Sequence, residues 1–381
     1  MAKAKSEQMR VGVVGARRGG GHIVALGKAN SRIVLGGVYD PLPDSSEAFT
    51  KQYGGKVYRN FEEAVEDCDL LVVASPQQYH APQADYALRA GVHVLSEVPA
   101  AVSIEQVNLL LAAARESKAS YMIAENYCYH RLNLVVGAMA KAGVFGKLYF
   151  GESEYVHEMK SWHSNAATGA PTWRRFWQVG KNGITYPTHS LGPLLEWMDD
   201  RITAISAIGT GRWTKPEYEM EDTVTLSCRT RKGALLRMRL DLVSNRPEVW
   251  NYYSLQGTEG AYESGKLFGD KPRIYIEGKS EPQAWQTLEE YADAYLPKRY
   301  AVPPDAAGHG GSDAWPLLDF VESIEQGTVP RFDIYKALDM TLPGIVSEAS
   351  IAQNGDWLAV PDPRTMTAGI GLNPGKEAPL Y

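Results

Sequence analysis

Short apolar runs alternate with amphipathic stretches over the first 125 residues of the chain. The apolar runs read VGVVG, IVLGGVYD, LLVVAS, HVLSEV and SYMIAE, and stretches such as AVSIEQVNLLLAAARESK place apolar residues at three- and four-residue spacing between them. Strand and helix in regular alternation require right-handed crossovers and a parallel sheet covered on both faces. The pattern therefore predicts an N-terminal α/β domain with a doubly wound parallel sheet.

The pattern changes after about residue 126. Longer alternating runs follow, among them KLYFGESEYVHE, DTVTLSCRT and ALLRMRLDLV, with helical periodicity near 131–142, 189–198 and 313–326. Period-two alternation is typical of antiparallel strands with one buried face. We therefore expect two domains, residues 1–126 and residues 127–381, the second an α+β domain with a large, mostly antiparallel, open-faced sheet. Such a face suits pairing with a second subunit, so we expect a homodimer or homotetramer.

Composition narrows the possible functions. The net charge is −6 and no Lys/Arg run follows an apolar segment, so neither nucleic acid nor a membrane is an expected partner. The first ten residues, MAKAKSEQMR, lack the apolar core of an export signal. The three cysteines, Cys68, Cys128 and Cys228, are far apart and form no metal-binding motif. We expect a cytoplasmic protein without a metal site.

A glycine-rich turn follows the first apolar run. VGVVG ends at Gly15 and continues as ARRGGGH, after which IVALGKA is predicted to be helical. Glycines let the backbone approach a pyrophosphate, whose charge is stabilised by the free N–H groups of a helix start. Gly15 and Gly20 fit the GxGxxG fingerprint of a Rossmann domain, but Arg17 replaces its middle glycine. Arg17 and Arg18 are therefore candidates for side-chain contacts with the phosphates.

An acidic residue closes the second predicted strand. Asp40 follows Gly20 by 20 residues, where a carboxylate accepts hydrogen bonds from the adenosine ribose hydroxyls. A carboxylate repels a 2′-phosphate, so the pattern favours NAD over NADP. The alternative is a tight turn followed by an ordinary helix-capping aspartate.

The run ASPQQYHAPQADYALRAGVHVLSEVPAAVS resembles the central signature of the glucose-fructose oxidoreductase and inositol dehydrogenase superfamily (Gfo/Idh/MocA). In most dehydrogenases of that superfamily the signature ends in Glu-Lys-Pro, and the lysine handles a proton. Here it reads Glu97-Val98-Pro99. Valine neither donates nor accepts a proton, so lysine-assisted oxidation of an alcohol is not available in that form.

Other segments, including EVPAA, ENYCY, WRRFW, YPTHSLGP and AGHGGSD, are similar to the NAD-dependent glycosidases typified by α-N-acetylgalactosaminidase. That resemblance implies redox-neutral hydrolysis of a small glycoside. NAD takes a hydride from C3, a base removes the C2 proton as the leaving group departs from C1, water adds, and the hydride returns. This differs from the paired-carboxylate route, for which no compelling pair is evident. The alternatives are an NAD-dependent sugar or polyol dehydrogenase, and a catalytically retired NAD-binding subunit.

The resemblance also implies the residues of the site. Expected at the cofactor, besides the glycine turn and Asp40, are Ser75, Gln77, Gln78, His80, Glu97, Val98, Asn126 and Tyr186, with Glu125 in support of Asn126. Expected at the sugar are Tyr155, His157, Arg174, Tyr186 and His189, with Tyr186 and His189 as the acid–base pair. Weaker candidates are His163, His309 and an aromatic residue among Tyr291, Tyr295 and Tyr300. For His80, Asn126 and His189, a role at the start of a helix is the alternative.

Overall fold

The computed structural model describes residues 8–24, 33–267, 269–302 and 308–367. The chain divides into two compact units. The first comprises Met1–Ala101, Glu105–His130 and Val302–Leu338, and the second comprises Val102–Ile104, Arg131–Ala301 and Asp339–Tyr381.

This partition differs from the predicted division at residue 126, because a late segment of the chain returns to the first unit. Within that segment Phe332 is fully buried, and its carbonyl accepts a 3.0 Å hydrogen bond from the N–H of Ile123. Helical periodicity near 313–326 predicts an amphipathic helix correctly, but it carries no information about which core the helix covers.

The first unit is built on a six-stranded parallel sheet with the order β3-β2-β1-β4-β5-β6. Its strands are β1 (Met9–Val14), β2 (Ile33–Tyr39), β3 (Lys56–Val57), β4 (Leu70–Val73), β5 (His93–Ser96) and β6 (Tyr121–Ile123). This order is that of a Rossmann domain, in which ligands bind outside the carboxyl ends of the strands where the order reverses. The predicted fold class of the N-terminal half is confirmed.

Helices accompany this sheet. They are α1 (Ala16–Ile23), α2 (Pro43–Tyr53), α3 (Phe61–Asp67), α4 (His80–Arg89), α5 (Ile104–Glu116) and, from the returning segment, α10 (Trp315–Gln326). The central strand β4 is buried along its whole length, as expected for a strand covered on both faces.

The second unit contains a nine-stranded sheet with the order β14-β13-β12-β11-β7-β10-β9-β8-β15. Its strands are β7 (Leu148–Val156), β8 (Ile202–Gly209), β9 (Val224–Thr230), β10 (Leu235–Asp241), β11 (Val249–Gly257), β12 (Gly260–Glu263), β13 (Arg273–Ile276), β14 (Gln286–Thr287) and β15 (Leu358–Ala359). β7 and β10 pair in parallel and the other neighbouring strands pair antiparallel, which confirms the mostly antiparallel sheet.

The two faces of this sheet differ. The helices of the unit are α6 (Arg131–Lys141), α7 (Trp173–Trp177), α8 (Thr188–Met198), α9 (Ala292–Tyr295) and the long α11 (Ile334–Ala352). α8 packs on β7 so closely that a Cβ on Gly151 would lie 3.2 Å from side-chain carbons of Leu194 and Met198. The neighbouring Glu152 points to the other face, where it forms a 3.4 Å ion pair with the exposed Arg237. This face therefore carries charged side chains.

No helix in the described part of the chain is both long enough and apolar enough to cross a membrane.

Candidate functional site

The glycine turn joins β1 to α1. Gly15 has a φ of 95°, and a Cβ there would lie 2.4 Å from the carbonyl oxygen of Ala74. α1 begins at Ala16, so ARRGGGH forms the helix itself, whereas the sequence predicted a loop there and a helix over IVALGKA. The glycines are compatible with a helix because they let it approach its neighbours: a Cβ on Gly19 would lie 2.3 Å from Cγ1 of Val13. Most of IVALGKA lies outside the described residues.

The other positions of the fingerprint have different surroundings. Gly20 faces the ring of Tyr53, where a Cβ would come within 2.9 Å, so packing between α1 and α2 also demands glycine here. Arg17 is exposed in the first turn of α1, and its contact with a phosphate stays a prediction.

Asp40 lies at the end of β2, beside the start of α1. Its Oδ2 accepts a 2.9 Å hydrogen bond from the N–H of Ala16, and its Oδ1 accepts one of 3.0 Å from the N–H of Leu42. Each carboxylate oxygen has a second lone pair, so Asp40 can still accept bonds from a ribose diol. The backbone bonds fix the carboxylate in place.

A buried ionic cluster lies next to this turn, and sequence reasoning missed it. The Arg18 guanidinium binds both oxygens of Asp313, at 2.7 and 3.1 Å, and its Nε donates to Glu97. His22 places Nε2 at 2.8 Å from Glu97 Oε1 and Nδ1 at 3.0 Å from the carbonyl oxygen of Asp313. We call Arg18, His22, Glu97 and Asp313 the Arg18 cluster. Arg18, which the sequence analysis gave as a candidate for a contact with the phosphates, is thus paired with carboxylates of the protein.

Both carboxylates of the Arg18 cluster are held ionised. Burial alone raises the pKa of Glu97, but Arg18 and His22 outweigh burial and hold that pKa well below its ordinary value. Burial likewise raises the pKa of Asp313, but hydrogen bonds from His309 and Arg18 outweigh it and hold the pKa far below its usual range. Arg18, Glu97 and Asp313 therefore carry fixed charges at neutral pH.

Asn126 is joined to this cluster at the carboxyl end of β6. Its Nδ2 donates a 2.7 Å hydrogen bond to Asp313 Oδ1, while its Oδ1 is buried without a hydrogen-bond partner among the described residues. An acceptor left in this state costs about 1–3 kcal/mol unless a ligand or water supplies a donor. Together with the glycine cradle and Asp40, this orphaned acceptor fits a dinucleotide whose carboxamide end is a hydrogen-bond donor.

The SPQQYH loop is joined to the Glu97-Val98-Pro99 segment through His80. The ring of His80 is buried, with Nδ1 at 2.8 Å from the Pro99 carbonyl oxygen and Nε2 at 2.8 Å from that of Ser75. Burial lowers the pKa of His80 despite these two contacts. Nearby, Gln77 and Val98 are buried. His80 thus holds the two segments together, and a direct cofactor contact stays a prediction.

In the second unit, three predicted residues lie together. Tyr186 Oη is 3.3 Å from Nε2 of His189, and the ring centre of Tyr155 is 5.4 Å from that of Tyr186 and 5.7 Å from that of His189. Tyr155 lies on β7, and His189 lies in the first turn of α8, with Tyr186 just before that helix. Tyr253 Oη donates a 2.5 Å hydrogen bond to the His189 carbonyl oxygen and anchors this turn. We call Tyr155, Tyr186 and His189 the Tyr186 group.

His157 extends this group along β7. Its ring centre lies 5.7 Å from that of Tyr155, and its Nδ1 lies 2.5 Å from Oε1 of Glu248. Trp162 and Trp250 flank the imidazole, with ring centres 5.6 and 5.4 Å away. Glu248 was not predicted, because it becomes a neighbour of His157 only through the pairing of β11 with β7.

Arg174 and His163 have well-defined surroundings. The Arg174 guanidinium stacks 5.2 Å from the ring centre of Trp162 and 4.3 Å from that of Trp173. His163 is fully buried against Tyr218, and burial together with nearby arginines lowers its pKa to about 4. His163 is therefore neutral at pH 7 and packs against Tyr218.

The weaker candidates have partners of their own. His309 donates toward Asp313, and Tyr291 donates to Gln286. Tyr295 ends α9, and the ring of Tyr300 lies 5.9 Å from the Arg299 guanidinium. Among the residues that the structure describes, no group of three or more His, Cys, Asp or Glu side chains could hold a metal ion.

Comparison with protein-family models identifies both halves of the chain. Residues 9–125 match the model described as "Oxidoreductase family, NAD-binding Rossmann fold". Residues 129–212 and 204–368 match the model "Glycosyl hydrolase 109, C-terminal domain". The predicted cofactor class, NAD, and the predicted superfamily are confirmed by these matches.

Relatives and solved structures agree with this assignment. A glycosyl hydrolase family 109 protein of Streptomyces filamentosus is 30% identical over 93% of this chain and 77% of its own length. A levoglucosan dehydrogenase in complex with NADH and L-sorbose has a TM-score of 0.78 at 17% identity, covering 94% of this chain and 100% of its own. The WlbA dehydrogenase of Bordetella pertussis, solved with NADH and UDP-GlcNAcA, has a TM-score of 0.76 at 20% identity, covering 94% and 99%.

The two solved structures show only that the fold is shared, because their sequence identity is low. The family follows from the sequence matches. The predicted enzyme class is confirmed at that level. The chain belongs to glycosyl hydrolase family 109, within the Gfo/Idh/MocA superfamily, and its N-terminal half is an NAD-binding Rossmann fold.

Proposed function

We propose that this enzyme hydrolyses small glycosides without net oxidation, by removing and restoring a hydride at C3 of the glycosyl unit. The observation that carries the proposal is the contact between Tyr186 and His189, in a chain whose signature has Val98 where dehydrogenases have lysine. Bound NAD would supply the reversible removal of that hydride. A C3 ketone makes the C2 proton acidic, so the protein has to move that proton.

The residues proposed to hold NAD lie around the β1–α1 turn and the carboxyl ends of the strands. Gly15 gives backbone access, Asp40 offers acceptors to the ribose, and the orphaned Oδ1 of Asn126 offers an acceptor to a donor group. Gly20, Arg17, Arg18, Ser75, Gln77, Gln78, His80, Glu97, Val98 and Tyr186 complete the proposed set.

Proton transfer is assigned to Tyr186 and His189. The 3.3 Å contact between Oη and Nε2 lets a proton taken by one side chain pass to the other. Histidine titrates near neutrality and tyrosine both donates and accepts, so the pair suits removal of the C2 proton and its return. General acid–base catalysis of this kind contributes about 10²- to 10⁴-fold in rate. Tyr155, His157 and Arg174 are proposed to contact the sugar.

Hydrolysis of a panel of 4-nitrophenyl α- and β-glycosides tests the proposal. We expect one glycoside to be cleaved with no accumulation of NADH, and its product to carry deuterium at C2 when the reaction runs in D₂O. Steady NADH formation from free sugars without cleavage would establish the dehydrogenase alternative. NAD binding without either activity would indicate a non-catalytic subunit.

We also propose a cytoplasmic homo-oligomer. Support comes from the three cysteines, which are buried and form no disulfide, and from the charged open face of the second sheet. Cell fractionation and light scattering test the location and the subunit number.

A further inference from the structure

The carboxylate of Glu248 lies against the imidazole of His157, which is next to the Tyr186 group. The partner of Val249 on β11 is Val156 on β7, so the residue before Val249 lies across from the residue after Val156. Those residues are Glu248 and His157, and their side chains meet with Nδ1 2.5 Å from Oε1. The backbone N–H of His157 donates to the Asp241 carbonyl at 2.8 Å, which fixes the strand on its other side.

We propose that Glu248 is a positioning residue that acts through His157, orienting the imidazole to protonate the departing glycosidic oxygen. This inference rests on the proposed function, to which it adds the acid for the leaving group. The Glu248 carboxylate, 2.5 Å from Nδ1, forms an ion pair with the imidazolium and stabilises it, as a carboxylate does for a histidine that transfers protons from its other nitrogen. Nε2 is then the nitrogen that faces the reaction.

The proton balance is complete with groups already named. The C1–O bond breaks with its electron pair on the departing oxygen, which takes the Nε2 proton of His157, while the Tyr186–His189 pair receives the C2 proton. When water adds to the C1=C2 bond, its oxygen binds C1 and its proton returns to Nε2, while the Tyr186–His189 pair gives a proton back to C2. In the active form of the enzyme His157 therefore begins and ends each turnover protonated, and the hydride chemistry that NAD would supply at C3 is unchanged.

The rings around His157 explain why it needs a carboxylate partner. Tyr155, Trp162 and Trp250 surround the imidazole, and only 10% of its side chain is exposed. Burial holds the pKa of His157 below its ordinary value; Glu248 reduces that fall without cancelling it, and Arg174 adds to it. Without Glu248 the ring would lose its proton at a lower pH.

Other charged groups near His157 have their own partners. Glu158, the next residue, pairs with Lys160 at 3.2 Å. The Asp241 carboxylate accepts hydrogen bonds from the Thr223 hydroxyl at 2.9 Å and the Val243 N–H at 3.0 Å. Glu248 is therefore the carboxylate positioned to control the proton of His157.

Leaving-group dependence is the decisive test, made on the full-length enzyme with NAD. An alkyl glycoside needs an acid at its leaving oxygen, whereas a 2,4-dinitrophenyl glycoside departs as a stable anion. We expect Glu248→Gln to slow the alkyl glycoside about 10- to 100-fold and the dinitrophenyl glycoside less than about threefold. Glu152→Gln, which removes another ion-paired carboxylate of the same sheet, should change neither rate.

Equal slowing of both substrates by Glu248→Gln, or of neither, overturns the proposal. Failure of the proposed function shows separately, as a wild-type enzyme that cleaves no glycoside or leaves C2 undeuterated.

A second readout needs no turnover. In ¹⁵N-histidine NMR spectra, with the His157 signal identified by its loss in His157→Gln, the His157 pKa should be lower in Glu248→Gln than in wild type. The alkaline limb of kcat/KM for the alkyl glycoside should move to lower pH with it, because the acid works only below its pKa. An unchanged His157 pKa contradicts the proposed pairing.

Discussion

Replacing Asp313 with asparagine tests the Arg18 cluster most directly. The Asp313 side chain is 2% exposed and accepts hydrogen bonds from Arg18, Asn126 and His309. An asparagine of the same shape removes the charge and turns one acceptor atom into a donor that faces other donors.

The expected loss of stability depends on how well Arg18 is still compensated once the Asp313 carboxylate is gone. Removing one partner of a buried ion pair costs about 3–5 kcal/mol when the other is left uncompensated. Arg18 is one-third exposed and keeps its contact with Glu97, so we expect a loss of about 2–3 kcal/mol, or roughly 4–12 °C in the midpoint of thermal unfolding. Asp44→Asn, at an exposed position of α2, should shift the midpoint by less than about 2 °C.

The pH dependence gives this prediction a second, independent readout. The pKa of Asp313 is depressed in the folded protein, so its contribution is fully present above the ordinary value of 3.8 and is lost as the pH falls through the folded pKa. Wild-type stability should therefore decline steeply below about pH 4, and less steeply in Asp313→Asn. A loss smaller than about 1 kcal/mol together with an unchanged acid limb would refute the assignment of these charges.

The remaining predictions concern the glycine turn, the Tyr186 group and a distant ion pair. Gly15→Ala should weaken NAD binding at least tenfold by isothermal titration, because the new Cβ would collide with the backbone of Ala74, just after β4; unchanged affinity would show that the turn tolerates a side chain. Tyr186→Phe and His189→Ala should each lower kcat at least tenfold while NAD stays bound, and full turnover in either variant removes that residue from the mechanism. Arg364→Met leaves Asp339, 9% exposed, without its guanidinium and should destabilise the protein by about 2–4 kcal/mol in urea unfolding; a loss within about 0.5 kcal/mol would mean that the pair is dispensable.

Local patterns predicted much of the fold. The apolar runs predicted the strands of both sheets, because burial of a strand on one or two faces determines the spacing of its apolar residues. The start of α1 was placed too late, since glycines usually disfavour a helix and the close contact of Gly19 with Val13 that favours them here is tertiary.

Contacts between distant residues were not predictable in the same way. The Tyr186 group could be predicted because the resemblance named its members. Arg18 and Asp313 are 295 positions apart, and Glu248 meets His157 only through strand register, so no periodicity of either segment points to the other. The sequence therefore identified the residues that the family resemblance implies. It did not reveal the carboxylates of Asp313 and Glu248, which pair with Arg18 and His157.

The return of residues 302–338 to the first unit has a consequence for biosynthesis. Ribosomes deliver the six strands of the nucleotide-binding sheet early, but the aspartate that neutralises Arg18 emerges only after strands β7 to β14 of the second unit. Nascent chains halted near residue 130 would expose the Ile123 edge that Phe332 later covers. The half of the enzyme that is translated first is thus among the last to be completed.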